Sequence, residues 1–255
     1  MQLLDWLSYQ LMNDNQWSIK KLIKTIVTSA TYKQSSKLTP GLRQKDPYNR
    51  YYARGARVRL SAEQIRDQSL CISGLMNGKM YGPGVFPYQP EGIWLSPWNG
   101  EQWKKDSNGN QYRRAIYTHW KRSAPYPSMM NFDGVAREVC TVRRIRTNTP
   151  LQALTTLNDS AYIDLARNFA YRMKEGAANP KEQIIAGFKM ATYKNIDDKS
   201  LAALEKLYNT AYRAFKKDNT NTSKIMPDKN GSAETAALTV VANAMLNLDE
   251  LVTKN

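Results

Sequence analysis

Apolar residues recur with a helical period at the beginning of the chain. Four leucines between residues 3 and 11 fall on one stripe, and a stronger stripe runs through residues 18–32. Spacings of three and four residues place side chains on one face of an α-helix. Ser18 is a typical N-cap, and three lysines lie on the face opposite the second stripe. The pattern predicts a helical hairpin with a solvated lysine face.

The same period returns after an irregular stretch and dominates the second half of the chain. Ser61 and Gln64 form a capping-box pattern that opens a helix ending near Gly74. Thr149 as a cap and Pro150 in the first turn open another, with leucines at 151, 154 and 157. Further helices are predicted over residues 159–176, 181–191, 198–216 and 232–250. The polar run between the last two is interpreted as a flexible linker.

The middle of the chain lacks this period. Residues 77–109 hold four prolines, six glycines and several aromatic residues, among them Trp94 and Trp98. A long aromatic loop predicts a lid or binding loop, in which tryptophans pack against sugar rings or else plug a core. Residues 112–122 are more typical of a strand. The predicted fold is mainly α: a helical domain with a long loop-rich, aromatic middle segment and room for a small β element.

Composition restricts the classes of function. The formal net charge of +15 favours polyanionic partners, although many basic domains are merely soluble. One histidine and two cysteines provide no zinc motif and no CxxCH haem attachment motif, so we expect no metal and no cofactor in this chain. No apolar run approaches the roughly 18 residues that span a bilayer, and the first residues do not resemble a signal peptide. The chain is therefore expected to be cytoplasmic or part of a longer secreted protein.

Charged and reactive side chains are most concentrated in residues 137–152, REVCTVRRIRTNTPLQ. Four arginines and an amide make up the predicted binding cluster: Arg137, Arg143, Arg144, Arg146 and Asn148. Each guanidinium offers five donors, which must meet carboxylates, backbone carbonyls or a bound anion. The available acids are Asp133, Glu138 and Asp159. The cluster thus either organises the fold or binds an anion.

Candidates for proton transfer are few. His119 is a candidate general base because histidine is the side chain suited to proton transfer near neutral pH, and Asp133 and Glu138 lie next to the arginines. No second histidine or recognisable catalytic set accompanies them, so a structural role for His119 is the stronger interpretation. The residues leave open whether the protein is an enzyme.

Three long motifs resemble one known family. They are WSIKKLIKTIVTSATYKQSS, DPYNRYYARGARVRLSAEQIRDQSL and YRRAIYTHWKRSAPYPSMMNFDGVAREVCTVRRIRTNTPLQALTTLND. Together they are similar to the planctomycete-specific C-terminal domain of unknown function in planctomycete-type cytochrome c proteins, over about Leu3 to Asn247. The family pattern includes Asp133 and the run from Arg137 to Pro150, without catalytic assignments.

The resemblance implies one domain over residues 1–255, at the C-terminus of a longer exported protein. Its parts are a helical region 1–76, an irregular region 77–136 and the arginine cluster with helices 137–255. Haem c is expected only on a missing or partner domain, and the parent would be periplasmic or secreted.

Two hypotheses about function follow from this setting. The first is an accessory domain whose arginine cluster organises the fold or docks the N-terminal domains of the parent or a partner cytochrome. The second is an oxidoreductase or carbohydrate-active enzyme part that acts on anionic polysaccharide-derived substrates. Nucleic acid is an unlikely partner, because no recognition motif accompanies the positive charge.

Overall fold

The computed structural model describes residues 2–93, 102–227 and 231–254. The prediction of a mainly α fold is confirmed. The longer helices are α1 (Gln2–Met12), α2 (Ile19–Thr28), α4 (Ala62–Ser73), α6 (Pro150–Asn158), α7 (Ser160–Glu175), α8 (Pro180–Thr192), α9 (Asp198–Lys217) and α11 (Ala233–Leu246). The shorter helices are α3 (Pro40–Lys45), α5 (Pro127–Asn131), α10 (Asn219–Ile225) and α12 (Asp249–Val252). Strands β1 (Val58–Arg59) and β2 (Thr253–Lys254) form a two-stranded sheet.

The chain divides into two compact units. The terminal unit comprises residues 1–58 and 253–255, and the main unit comprises residues 59–252. The single domain expected for residues 1–255 stays a prediction.

The terminal unit contains the predicted helical hairpin of α1 and α2. Ser18 caps α2 as expected, because its hydroxyl accepts from the backbone N–H of Lys21. Neither helix contains a buried residue, and apolar side chains such as Leu4 and Ile23 remain exposed. The apolar stripes therefore predicted the helices correctly but do not form a closed core.

Helix α11 forms the centre of the main unit. It packs against α7, α9 and α8, and most of its residues are buried on every side. A helix that is apolar all round belongs inside a core. Gly187 on α8 permits a close approach to α7, since a Cβ there would lie 2.7 Å from Cγ of Met173. Helix α7 therefore packs against α8 and α11, and α4 packs against α7.

The strand predicted over residues 112–122 is wrong. The segment forms two 3-10 turns, Asn110–Tyr112 and Ala115–Tyr117, with isolated bridges from Arg113 to Asn77 and from Thr118 to Val85. Pro83 lies between the two bridged residues of the facing segment and has no N–H to donate to a ladder. Hydrogen bonds from the Arg113 side chain to backbone carbonyls take its place.

The flexible linker predicted before α11 is also wrong over residues 219–226. Asp218 caps α10 by accepting from the backbone N–H groups of Thr220 and Asn221. Thr222 and Met226 are buried. Two inward side chains are thus enough to order a polar segment against the core.

Candidate functional site

The arginine segment, residues 137–148, is held at its base by Asp133. This carboxylate accepts from the backbone N–H of Thr147 at 2.7 Å and from its hydroxyl at 2.9 Å. Asp133 has φ +60, and a Cβ on the following Gly134 would lie 2.6 Å from the carbonyl oxygen of Met129. Only glycine fits this close approach without a shift of the backbone. The turn therefore aims Asp133 at the end of the arginine segment.

The polar face of helix α6 connects the Asp133 contact with the core. The buried Gln152 donates to Asp133 at 3.2 Å and accepts from the Arg59 guanidinium at 2.7 Å. Leu151, Leu154 and Leu157, which define the apolar stripe of the sequence, are exposed instead. The helix was predicted correctly, but its inward face is the opposite one.

Three of the predicted arginines contact residues of the main unit that lie outside the arginine segment. Arg144 donates to the Glu63 carboxylate at 2.7 and 2.9 Å, and Arg146 donates to the Arg59 carbonyl oxygen at 2.6 Å. The Arg137 guanidinium lies 5.5 Å from the ring centre of Trp120. The acid that meets Arg144 is thus Glu63 on α4, which none of the sequence-based candidates included. Arg143 and Asn148 are exposed.

These contacts enclose a cleft of about 380 Å³, here called the arginine cleft. Its charged and aromatic lining comprises Glu63, Asp67, Arg114, Trp120, Arg137 and Arg144. Three cations against two acids leave one net positive charge. Arg114 contacts Asp67 at 3.2 Å, and Asp67 also accepts from the Ala115 N–H. The cleft therefore offers guanidinium donors to an anionic group beside the Trp120 ring.

The candidates for proton transfer lie in different surroundings. The His119 ring stacks on Phe86 at 4.6 Å and meets the edge of Trp103 at 6.4 Å. Glu138 is exposed on the arginine segment, whereas the Asp133 carboxylate is engaged by Thr147 and Gln152. The structure describes no shared site for the three.

The remaining sequence candidates add little to the cleft. Trp94 and Trp98 lie outside the described residues. Cys71 and Cys140 are free, exposed thiols. Among the residues that the structure describes, no group of three or more His, Cys, Asp or Glu side chains converges, and no helix has the length and hydropathy to cross a membrane.

Comparison with known protein families gives a match over most of the chain. The model of the PSD1 family, described as a protein of unknown function (DUF1553), matches residues 1–208. The chain belongs to the PSD1 family. No curated protein and no solved structure matches it. In this PSD1 chain the matched residues include the arginine segment and the whole lining of the arginine cleft.

The PSD1 chain contains a second cleft that the sequence did not indicate. It measures about 310 Å³ and lies between α4, the start of α7 and residues from two stretches, 87–88 and 105–112. Arg66 lines it and is only 7% exposed. An isolated arginine at a core-facing helical position gives no local signal in a sequence, so it was missed.

Proposed function

We propose that this PSD1 chain is an accessory docking domain of an exported, c-type-cytochrome-linked protein in the periplasm or outside the cell. Its arginine segment would bind the N-terminal domains of the parent or a partner cytochrome. The three long motifs, which resemble the C-terminal domain of planctomycete-type cytochrome c proteins, support the cytochrome link. Haem c would belong to the partner.

One observation carries the docking role. Val139, Val142 and Ile145 alternate with the arginines of the segment, and all three side chains are exposed. Protein interfaces combine apolar centres with arginine and are poor in lysine. Large apolar side chains exposed together are typical of an interaction surface. Leu151 and Leu154, at the start of α6, are also exposed.

The anchoring of the segment also supports docking. Asp133 ties its end, and Glu63 and the Arg59 carbonyl hold two of its arginines. A segment fixed before association loses less conformational entropy on binding. The two anchored guanidinium groups keep their apolar neighbours on the outer side.

The test is a binding titration between this chain and the haem-loaded cytochrome domain of its parent protein. Val142→Asp should weaken the affinity at least tenfold, because a carboxylate replaces an apolar contact at the centre of the surface. Lys206→Gln changes an exposed charge on α9 of the main unit, outside the segment, and should leave the affinity unchanged. No binding by the unaltered chain at low salt, or equal effects of the two substitutions, would contradict the proposal.

A second function is favoured by Trp120 beneath Arg137. An aromatic face beside a guanidinium suits a sugar ring that carries a sulfate or carboxylate. The chain would then be part of an oxidoreductase or carbohydrate-active enzyme for anionic polysaccharide-derived substrates. Trp120→Leu should abolish binding of a sulfated or uronic oligosaccharide measured by calorimetry, while a neutral oligosaccharide serves as the control ligand. Unchanged binding by the variant would contradict this function.

A further inference from the structure

The second cleft, here called the Arg66 cleft, has polar groups at its floor and its rim. Arg66 comes from α4, Gln111 and Tyr112 from the 3-10 turn, and Asp164 and Arg167 from α7. Its volume of about 310 Å³ lies at the lower end of small-molecule sites. It would hold a ligand of a few carbon atoms up to one sugar ring.

Arg66 is buried with unused hydrogen-bonding capacity. One terminal nitrogen donates to the Gln111 carbonyl oxygen at 2.7 Å, but Nε has no acceptor among the described residues. The Gln111 Oε1 atom is likewise buried without a donor in that part of the chain. A buried polar group without a partner costs about 1–3 kcal/mol, and more when it is charged. Buried polar groups of this kind need a partner, which is either a water molecule or a ligand.

The charges around Arg66 favour an anion. Asp164 accepts from Arg167 at 3.0 Å and from the Tyr112 hydroxyl at 2.6 Å, so its charge is already matched. Burial, reinforced by Asp164, raises the pKa of Tyr112 to about 12, which keeps the phenol neutral. The Lys105 ammonium group lies 5.9 Å from the Tyr88 ring centre at the exposed rim.

Asp159, the cap of α7, reduces this positive field without cancelling it. It accepts from the Ala161 N–H at 2.8 Å, and burial raises the pKa of its carboxyl group, while Arg66 opposes that shift. Counting Arg66, Lys105 and Arg167 against Asp159 and Asp164 leaves one positive charge. The backbone N–H groups at the start of α7 add a partial positive charge to the same wall.

We propose that the Arg66 cleft binds a small carboxylate that also carries a hydroxyl group. The carboxylate would accept from the Arg66 guanidinium and from Lys105, and the ligand hydroxyl would donate to Gln111 Oε1. A hydroxycarboxylate fits because Arg66 Nε is a donor and Gln111 Oε1 an acceptor, and neither has a partner among the described residues. This site is separate from the arginine cleft and does not depend on the docking function.

A neighbouring void gives the competing explanation. A space of about 10 Å³ lies on the side of Arg66 lined by Tyr126 and Tyr162. That volume accommodates at most one water molecule, which would satisfy the arginine without any ligand. The two explanations differ in whether the Arg66 Nε–H responds to added solute.

The test follows the arginine Nε–H signals of the ¹⁵N-labelled chain by NMR during titration with lactate, glucuronate, acetate and chloride. The Arg66 signal is assigned by its loss in Arg66→Lys. Lactate or glucuronate should shift this signal saturably, with acetate roughly tenfold weaker for want of the hydroxyl contact. Lys105→Met, at the exposed rim, should weaken binding several-fold, whereas Arg144→Met in the arginine cleft should not.

Three results would overturn the proposal. They are an Arg66 signal that none of the carboxylates moves, a signal that chloride moves equally, and equal affinity in the unaltered chain and the Lys105→Met variant. If Arg66→Lys does not fold, lactate affinities measured by calorimetry for the unaltered chain, Lys105→Met and Arg144→Met decide the outcome without the signal assignment. Neither measurement depends on the cytochrome titration, so the two proposals fail separately.

Discussion

Two sets of arginines in the main unit differ in almost every physical respect. The arginine segment concentrates four guanidinium groups within ten residues, and all four side chains are exposed. Arg66 is isolated in the sequence and Arg113 has a single arginine neighbour, and the two are 7% and 2% exposed. The arginines of the arginine segment contact one carboxylate, one backbone carbonyl and one aromatic ring. Arg113 by itself donates to the backbone carbonyls of three loop residues.

This difference shows that burial, rather than density, determines how much an arginine contributes to the fold. An exposed guanidinium retains its water and gains little from an ion pair. A buried guanidinium loses its water and must recover that free energy from fixed protein acceptors. The arginine segment is therefore available for a partner, and the buried arginines are committed to the fold or to a ligand.

The largest expected effect comes from replacing Arg113. Arg113→Met removes the donors to the carbonyls of Lys79, Tyr81 and Pro83, together with a contact 3.7 Å from the Tyr117 ring centre. We expect a loss of about 3 kcal/mol, because several charge-assisted hydrogen bonds disappear at once. This corresponds to a fall in Tm of roughly 6–12 °C. Thermal unfolding measured by circular dichroism tests it.

The adjacent Arg114 provides the matched control for this prediction. Its side chain is 53% exposed and contacts Asp67 at 3.2 Å. Arg114→Met should cost less than about 1 kcal/mol. Similar losses for the two neighbours would show that burial does not separate the two sets.

An intermediate effect is expected at the base of the arginine segment. Asp133→Asn retains a residue that tolerates positive φ but removes the charge that two Thr147 donors and Gln152 share. We expect a loss of about 1–2 kcal/mol, since hydrogen bonds to charged groups are stronger than neutral ones. Urea unfolding followed by tryptophan fluorescence measures this. Glu138→Gln removes an exposed carboxylate nearby and should stay within about 0.5 kcal/mol; a larger loss there than at Asp133 would refute the assignment.

Local patterns predicted the helices because caps and period are local properties. Ser61 with Gln64 formed the expected capping box, and Gly74 adopts φ +78 at the end of α4. The period of α6 identified a helix but not its inward face, since that depends on Arg59, which lies 93 residues from its partner Gln152. Arg66, Arg113 and Glu63 escaped prediction for the same reason: their partners are distant in the chain. The arginine segment was identified by composition, yet only the structure shows which of its side chains are held.

A smaller effect is expected from the ion pair of Arg144 with Glu63. The two side chains are 40% and 35% exposed, so water and salt screen the attraction. A double-mutant cycle of Arg144→Met and Glu63→Gln should give a coupling of about 0.2–1 kcal/mol. Urea unfolding of the four proteins supplies the values. A coupling of several kcal/mol would mean that this exposed pair stabilises the fold as much as a buried arginine does, which would contradict the comparison between the two sets.

The smallest expected effect is the pH dependence of the same pair. Burial raises the pKa of the Glu63 carboxyl, but hydrogen bonds from Arg144, the Glu63 backbone N–H and Ser61 outweigh burial and leave the pKa below its ordinary value of 4.5. A lowered pKa in the folded state means that the contribution is present above pH 4.5 and is lost as the pH falls through the folded-state value. The Tm of the unaltered chain should therefore fall further between neutral and acidic pH than that of Arg144→Met, by no more than the few degrees that about 1 kcal/mol produces. Parallel Tm curves for the two proteins would mean that Arg144 leaves the titration of Glu63 unaffected, and that the arginine segment is held by Asp133, the Arg59 carbonyl and Trp120 instead.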